Sequence, residues 1–317
     1  MSFKILGMGS AVPEYVLTND EVATIVDTSD EWISTRTGIK GRHVCTNETI
    51  TDLAFSAVKK ALKDSGVSPS ELDYIICSTI QGDYITPSMS CLIQNEIGAG
   101  CPSFDINAAC SGFIYLLDVA STYFDSGKAK NILVVSAENM TRFADFTDRA
   151  TCVLFGDAAA AMVLTKGDGL LSMKLTSHGG TSLMRIGGSQ GNSPFSKAVH
   201  EKPFLYMNGP EVYKFAVNAM TEDLAEVVEK ANIKLEDVTH VIPHQANIRI
   251  INTAKKKLGL RDDQIVACID RFGNTSSASV PLAVDTLKNE GGLKRGDILA
   301  LSAFGGGLTT GACVIKY

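Results

Sequence analysis

Ile132-Leu133-Val134-Val135-Ser136-Ala137 is echoed by Ile298-Leu299-Ala300-Leu301-Ser302-Ala303, 166 positions further along the chain. Leu72-Asp73-Tyr74-Ile75-Ile76 and Val238-Thr239-His240-Val241-Ile242 stand at the same spacing, as do Cys110 with Ser276 and Ala108 with Asn274. An offset unchanged over this span predicts two like-folded halves, 1–168 and 169–317, meeting near Lys166-Gly167-Asp168-Gly169. Each half reads as helix, strand, helix, strand: 50–65, 74–78, 111–126 and 132–136 in the first, and 212–231, 241–243, 277–289 and 298–303 in the second. Residues 4–8 add a first strand. Continuous apolar strands alternating with helices imply an α/β fold whose mostly parallel sheets are covered on both faces. In such sheets, sites form where strand ends pass into helices. Cys110 and His244 both follow predicted strands, so a site shared between the halves is expected.

Cys110 sits in Ala108-Ala109-Cys110-Ser111-Gly112-Phe113. Phe113, Leu116, Leu117, Ala120, Tyr123 and Phe124 then recur at helical spacing, and Gly127 supplies the stop. A cysteine in the first turn of that helix would meet unpaired N–H groups and the positive end of the dipole, which favour thiolate. The other reading is a small buried hydrophobe. His244 follows an apolar strand and Pro243, so its ring leaves a fixed backbone position; alone it reads equally as a structural imidazole. Asn274, between Gly273 and Thr275, reads alone as a turn residue. Gly305-Gly306-Gly307 lacks the lysine or G-x-G-x-x-G of a phosphate loop and reads as backbone approaching a ligand or strand closely.

With 317 residues, 45% hydrophobic and 20% charged, the composition is that of a globular protein. No apolar run reaches a membrane span's length, and the N-terminal stretch is too short for a signal peptide, so no membrane partner and a cytoplasmic location are expected. The eight cysteines form no C-x-x-C pair or His-spaced cluster, which argues against a metal site and for reduced thiols. A net charge of −6 argues against nucleic acid as a partner.

The chain resembles the β-ketoacyl-acyl-carrier-protein synthase III family of the thiolase superfamily. The likeness runs from Leu6-Gly7-Met8-Gly9-Ser10-Ala11-Val12-Pro13 through Ser29-Asp30-Glu31-Trp32-Ile33, Arg36-Thr37-Gly38-Ile39, Ala109-Cys110-Ser111-Gly112-Phe113, Pro243-His244-Gln245-Ala246-Asn247 and Gly273-Asn274-Thr275-Ser276 to Phe304-Gly305-Gly306-Gly307. It implies a thiolase-like fold, two similar halves with mixed five-stranded sheets in an α-β-α-β-α layering, the first half carrying the nucleophilic cysteine and the second the histidine and asparagine. The family's Cys–His–Asn triad falls on Cys110, His244 and Asn274, and its oxyanion-hole N–H groups on Cys110 and Gly306. The implied reaction is a decarboxylative Claisen condensation of an acyl-coenzyme A primer with malonyl-acyl carrier protein through an acyl-cysteine, initiating fatty-acid synthesis. No cofactor is implied, acyl-coenzyme A being a substrate.

By the same resemblance, Trp32 and Arg149 would hold the coenzyme A adenine, Thr28 and Arg36 the rest of the nucleotide, and Asn247 and Gly209 the pantetheine. Stacking of a flat ring with guanidinium groups suits a base. Lys214, Arg249, Lys256 and Lys257 read either as solvated helix faces or as a docking surface for the acidic carrier protein. A homodimer is implied. Thr86 departs from the phenylalanine that short-primer members supply across the dimer to the acyl pocket, and predicts tolerance for primers longer than acetyl.

Rival readings fit less well. A thiolase proper would carry a second cysteine in the glycine-rich loop, where Phe304 stands and Cys313 falls in the last strand. A plant-type polyketide synthase shares the triad but would not require a carrier-bound extender. A papain-like peptidase would have a tryptophan soon after the cysteine, and a non-catalytic subunit would lack the nucleophile.

Overall fold

The computed structural model describes residues 2–188, 194–195, 197 and 201–317. The chain before Gly167 supplies a five-stranded sheet in the order Ser2–Ala11, Asp157–Gly167, Asn131–Asn139, Tyr74–Ser78, Ser103–Ile106. The first two pairings are antiparallel and the last two parallel. A second sheet orders His240–Pro243, Ile298–Gly305, Thr309–Lys316 and Leu170–Ser177, parallel at the first pairing and antiparallel after it.

The expectation of five strands in both sheets holds only for the first. Among the described residues the second has four, and its fifth place shrinks to a bridge between Val241 and Ile265. The Val266 N–H still reaches the Val241 carbonyl at 3.0 Å, but two residues later the Cys268 N–H donates to Gln245 Oε1 at 3.0 Å. A side chain takes the donor that a longer strand would have offered to its neighbour.

Between the sheets lie Gly112–Asp125 and Ser279–Asn289, helices buried on nearly every side. Phe113, Leu116, Leu117 and Phe124 of the first share one core with Val280, Ala283 and Val284 of the second. Ile50–Ser65 covers the outer face of the first sheet through Ile50, Leu53, Ala54, Ala57, Val58 and Ala61, a stripe at helical spacing. It lies so close to Ser2–Ala11 that a Cβ on Gly7 would come within 2.3 Å of the Ser65 nitrogen. Gly209–Lys230 and Ile248–Leu258 cover the second sheet, completing the α-β-α-β-α layering of a thiolase-like fold.

The internal echo slips by one residue. Hydrogen bonds at the strand starts match at 166 for Asp73 and Thr239, but at 167 for their acceptors Asn131 and Ile298. The turns before the two central helices also match at 167. Asn107 Oδ1 accepts from the Ala109 N–H at 3.1 Å, and Asn274 Oδ1 accepts from the Ser276 N–H at 2.9 Å. Ala109 and Ser276 both have positive φ, 46° and 51°. The counterpart of Cys110 is therefore Ser277, not Ser276, and that of Asn274 is Asn107, not Ala108.

Candidate active site

Cys110 does not lie in the first turn of its helix. It occupies a tighter 3-10 turn, Ala109–Ser111, which the left-handed Ala109 turns into the interior ahead of Gly112. Ser111 Oγ donates to Thr309 Oγ1 at 2.8 Å, and Thr309 Oγ1 donates to the Ala108 carbonyl at 3.1 Å, tying this turn to the strand after the glycine triplet. Gly305 presses on it: a Cβ there would stand 2.6 Å from the Cys110 nitrogen, so only glycine leaves the approach to that N–H open.

Cys110, His244 and Asn274 come from three separate turns and line one cavity of about 1150 Å³. Gly306, Trp32, Arg36, Gly209, Asn247, Lys214 and Arg249 line it as well. His244 is 3% exposed, and its ring meets Phe304 edge-on at 5.3 Å. Burial pulls its pKa down to about 3, so it is neutral at physiological pH. Its Nδ1 pairs with Ser279 Oγ at 2.6 Å, and the same oxygen accepts from the Gln245 N–H at 3.4 Å. In the tautomer in which the Ser279 hydroxyl donates to Nδ1, Nε2 carries the ring hydrogen and faces the cavity as a donor. Asn274 is clamped on both sides: its N–H donates to the Leu154 carbonyl at 2.8 Å, and its own carbonyl accepts from the Gly156 N–H at 3.1 Å. With Oδ1 held by Ser276, its Nδ2 group is the part left to donate.

The electrostatics of Cys110 differ from the expected thiolate. Burial pushes its thiol up to about 12, and the charge of Glu138 adds to the rise. A helix terminus can supply ~2 kcal/mol, equivalent to about 1.5 pH units. That is too little to offset a rise from 9.0.

Trp32 is flanked by two guanidinium groups, Arg36 at 4.8 Å and Arg149 at 5.1 Å from its ring. Ser29 Oγ caps its helix, Asp30–Thr37, by accepting from the Trp32 N–H. Arg149 is not part of the cavity wall; it is fixed from behind by the Asp27 carbonyl at 2.6 Å. Thr28 lies outside the wall too, with Oγ1 buried and unpartnered. Asn247 starts Ile248–Leu258 by accepting from the Arg249 N–H, and its Nδ2 donates to the Arg36 carbonyl at 3.1 Å. Lys214 and Arg249 are exposed at the mouth, with the Arg249 guanidinium 5.8 Å from the Tyr213 ring. Lys256 and Lys257 are exposed further along that helix, away from the cavity. Thr86 is exposed in a loop outside the cavity wall.

Residues 104–179 match the family model for 3-oxoacyl-[acyl-carrier-protein] synthase III, and residues 228–317 match the model of its C-terminal part. A β-ketoacyl-[acyl-carrier-protein] synthase III of Aquifex aeolicus is 45% identical over the full length of both chains. This chain belongs to the 3-oxoacyl-[acyl-carrier-protein] synthase III family. A relative of the same name from Clostridium acetobutylicum is 44% identical, covering 100% of this chain and 99% of that protein. A crystal structure of the Aquifex aeolicus synthase superposes with a TM-score of 0.92 at 44% identity, covering 99% of this chain and all of that one. The priming β-ketosynthase of the R1128 polyketide biosynthetic pathway superposes at 0.93 with 35% identity, covering 99% and 96%.

Two residues beside the family's motifs had no role in the sequence reading. Ser279, which sets the His244 ring, lies in the same run as Asn274 but has nothing local to mark its partner. Glu138 is a single acid at the end of an apolar strand, a signal that could have drawn attention to it.

Proposed function

We propose that this chain is a β-ketoacyl-acyl-carrier-protein synthase III, a condensing acyltransferase that joins an acyl-coenzyme A primer to malonyl-acyl carrier protein and so initiates fatty-acid synthesis. The observation that carries the assignment of roles is the meeting of Cys110, His244 and Asn274 in one cavity whose mouth bears Trp32 between two arginines.

Cys110 is the nucleophile. Its sulfur bonds to the primer's carbonyl carbon, the coenzyme A sulfur leaves, and the thiol proton ends on that leaving sulfur. With the free thiol this high, the proton passes toward the departing coenzyme A sulfur as the new bond forms, while His244 stays neutral throughout. The Cys110 and Gly306 N–H groups hold the tetrahedral oxyanion. In the second stage the malonyl C–C bond breaks, carbon dioxide departs, and its electron pair passes into an enolate whose oxygen accepts from His244 Nε2 and Asn274 Nδ2. The enolate carbon then attacks the acyl-cysteine carbonyl, Cys110 leaves as thiolate, and a proton taken from solvent restores the thiol. Each oxyanion donor is worth about 3 kcal/mol of barrier. Loss of carbon dioxide supplies the carbanion, so the chemistry calls for no metal or redox cofactor.

Trp32 and Arg149 take the adenine, Thr28 and Arg36 the remainder of the nucleotide, and Gly209 and Asn247 flank the pantetheine. The exposed Lys214, Arg249, Lys256 and Lys257 receive the carrier protein. We place the enzyme in the cytoplasm as a homodimer; its eight free thiols suit a reducing compartment. The test is to incubate the protein with a set of acyl-coenzyme A thioesters and weigh it intact. The expected result is one acyl mass on the wild type and none on Cys110→Ala; an unchanged gain in the variant moves the nucleophile elsewhere.

A further inference from the structure

Glu138 is 1% exposed and is the next-to-last residue of the strand Asn131–Asn139, in the half of the chain that does not carry Asn274. One carboxylate oxygen accepts from Ser277 Oγ at 2.6 Å and from Ser276 Oγ at 3.2 Å; the other accepts from the Ile80 N–H at 3.0 Å. The Ser277 N–H also faces it. Through the one-residue slip described above, Glu138 is the counterpart of Gly305, as Ser277 is of Cys110. The molecule therefore has two like turns, each covered by a residue at the C-terminal end of a strand from the opposite half: Gly305, the last of its strand, and Glu138, the next-to-last of its own. Over Cys110 that residue is glycine, and the N–H is left to a ligand. Over Ser277 it is a glutamate whose carboxylate fills the equivalent space and grips the turn. Asn274 lies at the start of that gripped turn, with Oδ1 on the Ser276 N–H.

We propose that Glu138 is a positioning residue: it clamps the 276–277 turn across the two halves and so holds the Asn274 amide in its donating pose. This rests on the role given to Asn274 above. Burial pushes the Glu138 carboxyl up to about 7, so at pH 8.5 it is ionised and adds negative charge near Cys110 and Cys77, the thiols whose deprotonation it opposes. Removing that charge and loosening the clamp should therefore act in opposite directions on the two stages of the reaction. Glutamine has one acceptor oxygen where the acid has two, and its NH2 only donates, so it cannot serve both the Ile80 N–H and the two serine hydroxyls now aimed at the acid.

The test measures two rates in Glu138→Gln: alkylation of Cys110 by iodoacetamide at pH 8.5, read by peptide mass, and decarboxylation of malonyl-acyl carrier protein by the unacylated enzyme. The expected result is faster alkylation with decarboxylation slowed on the order of tenfold to a hundredfold, the scale of a small misplacement of a reacting group. Both rates falling together, or decarboxylation unchanged, would overturn the proposal. Should Glu138→Gln fail to fold, Glu138→Asp keeps the charge but draws the oxygens back by one methylene. It should slow decarboxylation alone, and a wild-type rate there overturns the proposal as well. A wild-type protein that is neither acylated nor able to decarboxylate the substrate would instead defeat the functional reading.

Discussion

At the scale of single residues, the reacting pair Cys110 and His244 is neutral. Burial keeps the Cys110 proton on and keeps protons off His244. With a thiol near 12, the thiolate fraction rises tenfold for each pH unit throughout the range in which the protein is handled. Alkylation of Cys110 by iodoacetamide, read by peptide mass, should accordingly climb log-linearly from pH 7 to 10; a plateau near pH 7 would mean a standing thiolate. The sequence singled out Cys110, His244 and Asn274 through the family resemblance, since each read alone was equally a structural residue. It could not show how dry the pocket is. Phe304 and Asn274, which line the same cavity, are both more than 150 positions away in the chain, and it is burial that reverses the expected sign of the pKa shift.

At the scale of elements, local signals fixed what is locally held. Residues 50–65 were legible to the last residue, because Thr49 and Asp52 form a reciprocal cap at one end and Gly66 takes the left-handed conformation at the other. The strand at 74–78 was equally clear from its apolar run between turn residues. The start of the helix carrying Cys110 was not. Apolar periodicity is the same whether the preceding turn is α or 3-10, and a left-handed alanine has no sequence mark. The one-residue slip between the halves was hidden for a similar reason, since a run such as Ile-Leu-Val-Val matches another apolar run equally well in adjacent registers. Ile248–Leu258 presents Arg249 at the cavity mouth and Lys256 and Lys257 beyond it. Rim charges steer encounter more than they hold a complex. Arg249→Glu should raise KM for malonyl-acyl carrier protein while acylation by acyl-coenzyme A keeps its rate; an unchanged KM would take this helix out of the docking surface.

At the scale of the molecule, we propose that residues 1–168 and 169–317 are two structural halves but one folding unit. Their central helices share a single core, with Phe113 and Leu117 in the same cluster as Val280 and Val284. Calorimetry should therefore give one transition with matching calorimetric and van't Hoff enthalpies, and two resolved peaks would contradict it. Thr86 also belongs to this scale: it is exposed and outside the cavity wall, and in the homodimer proposed above a second copy of the chain would bring its loop to the acyl pocket. A primer series from two to twelve carbons should show turnover beyond acetyl, whereas strict acetyl preference would mean that other side chains close the pocket. Trp32 adds a practical consequence. It is the chain's single tryptophan, and it sits between Arg36 and Arg149 at the cavity mouth. All the indole emission of this protein originates at one doorway, so its colour and intensity form a built-in optical gauge of what occupies that doorway, with no dye attached.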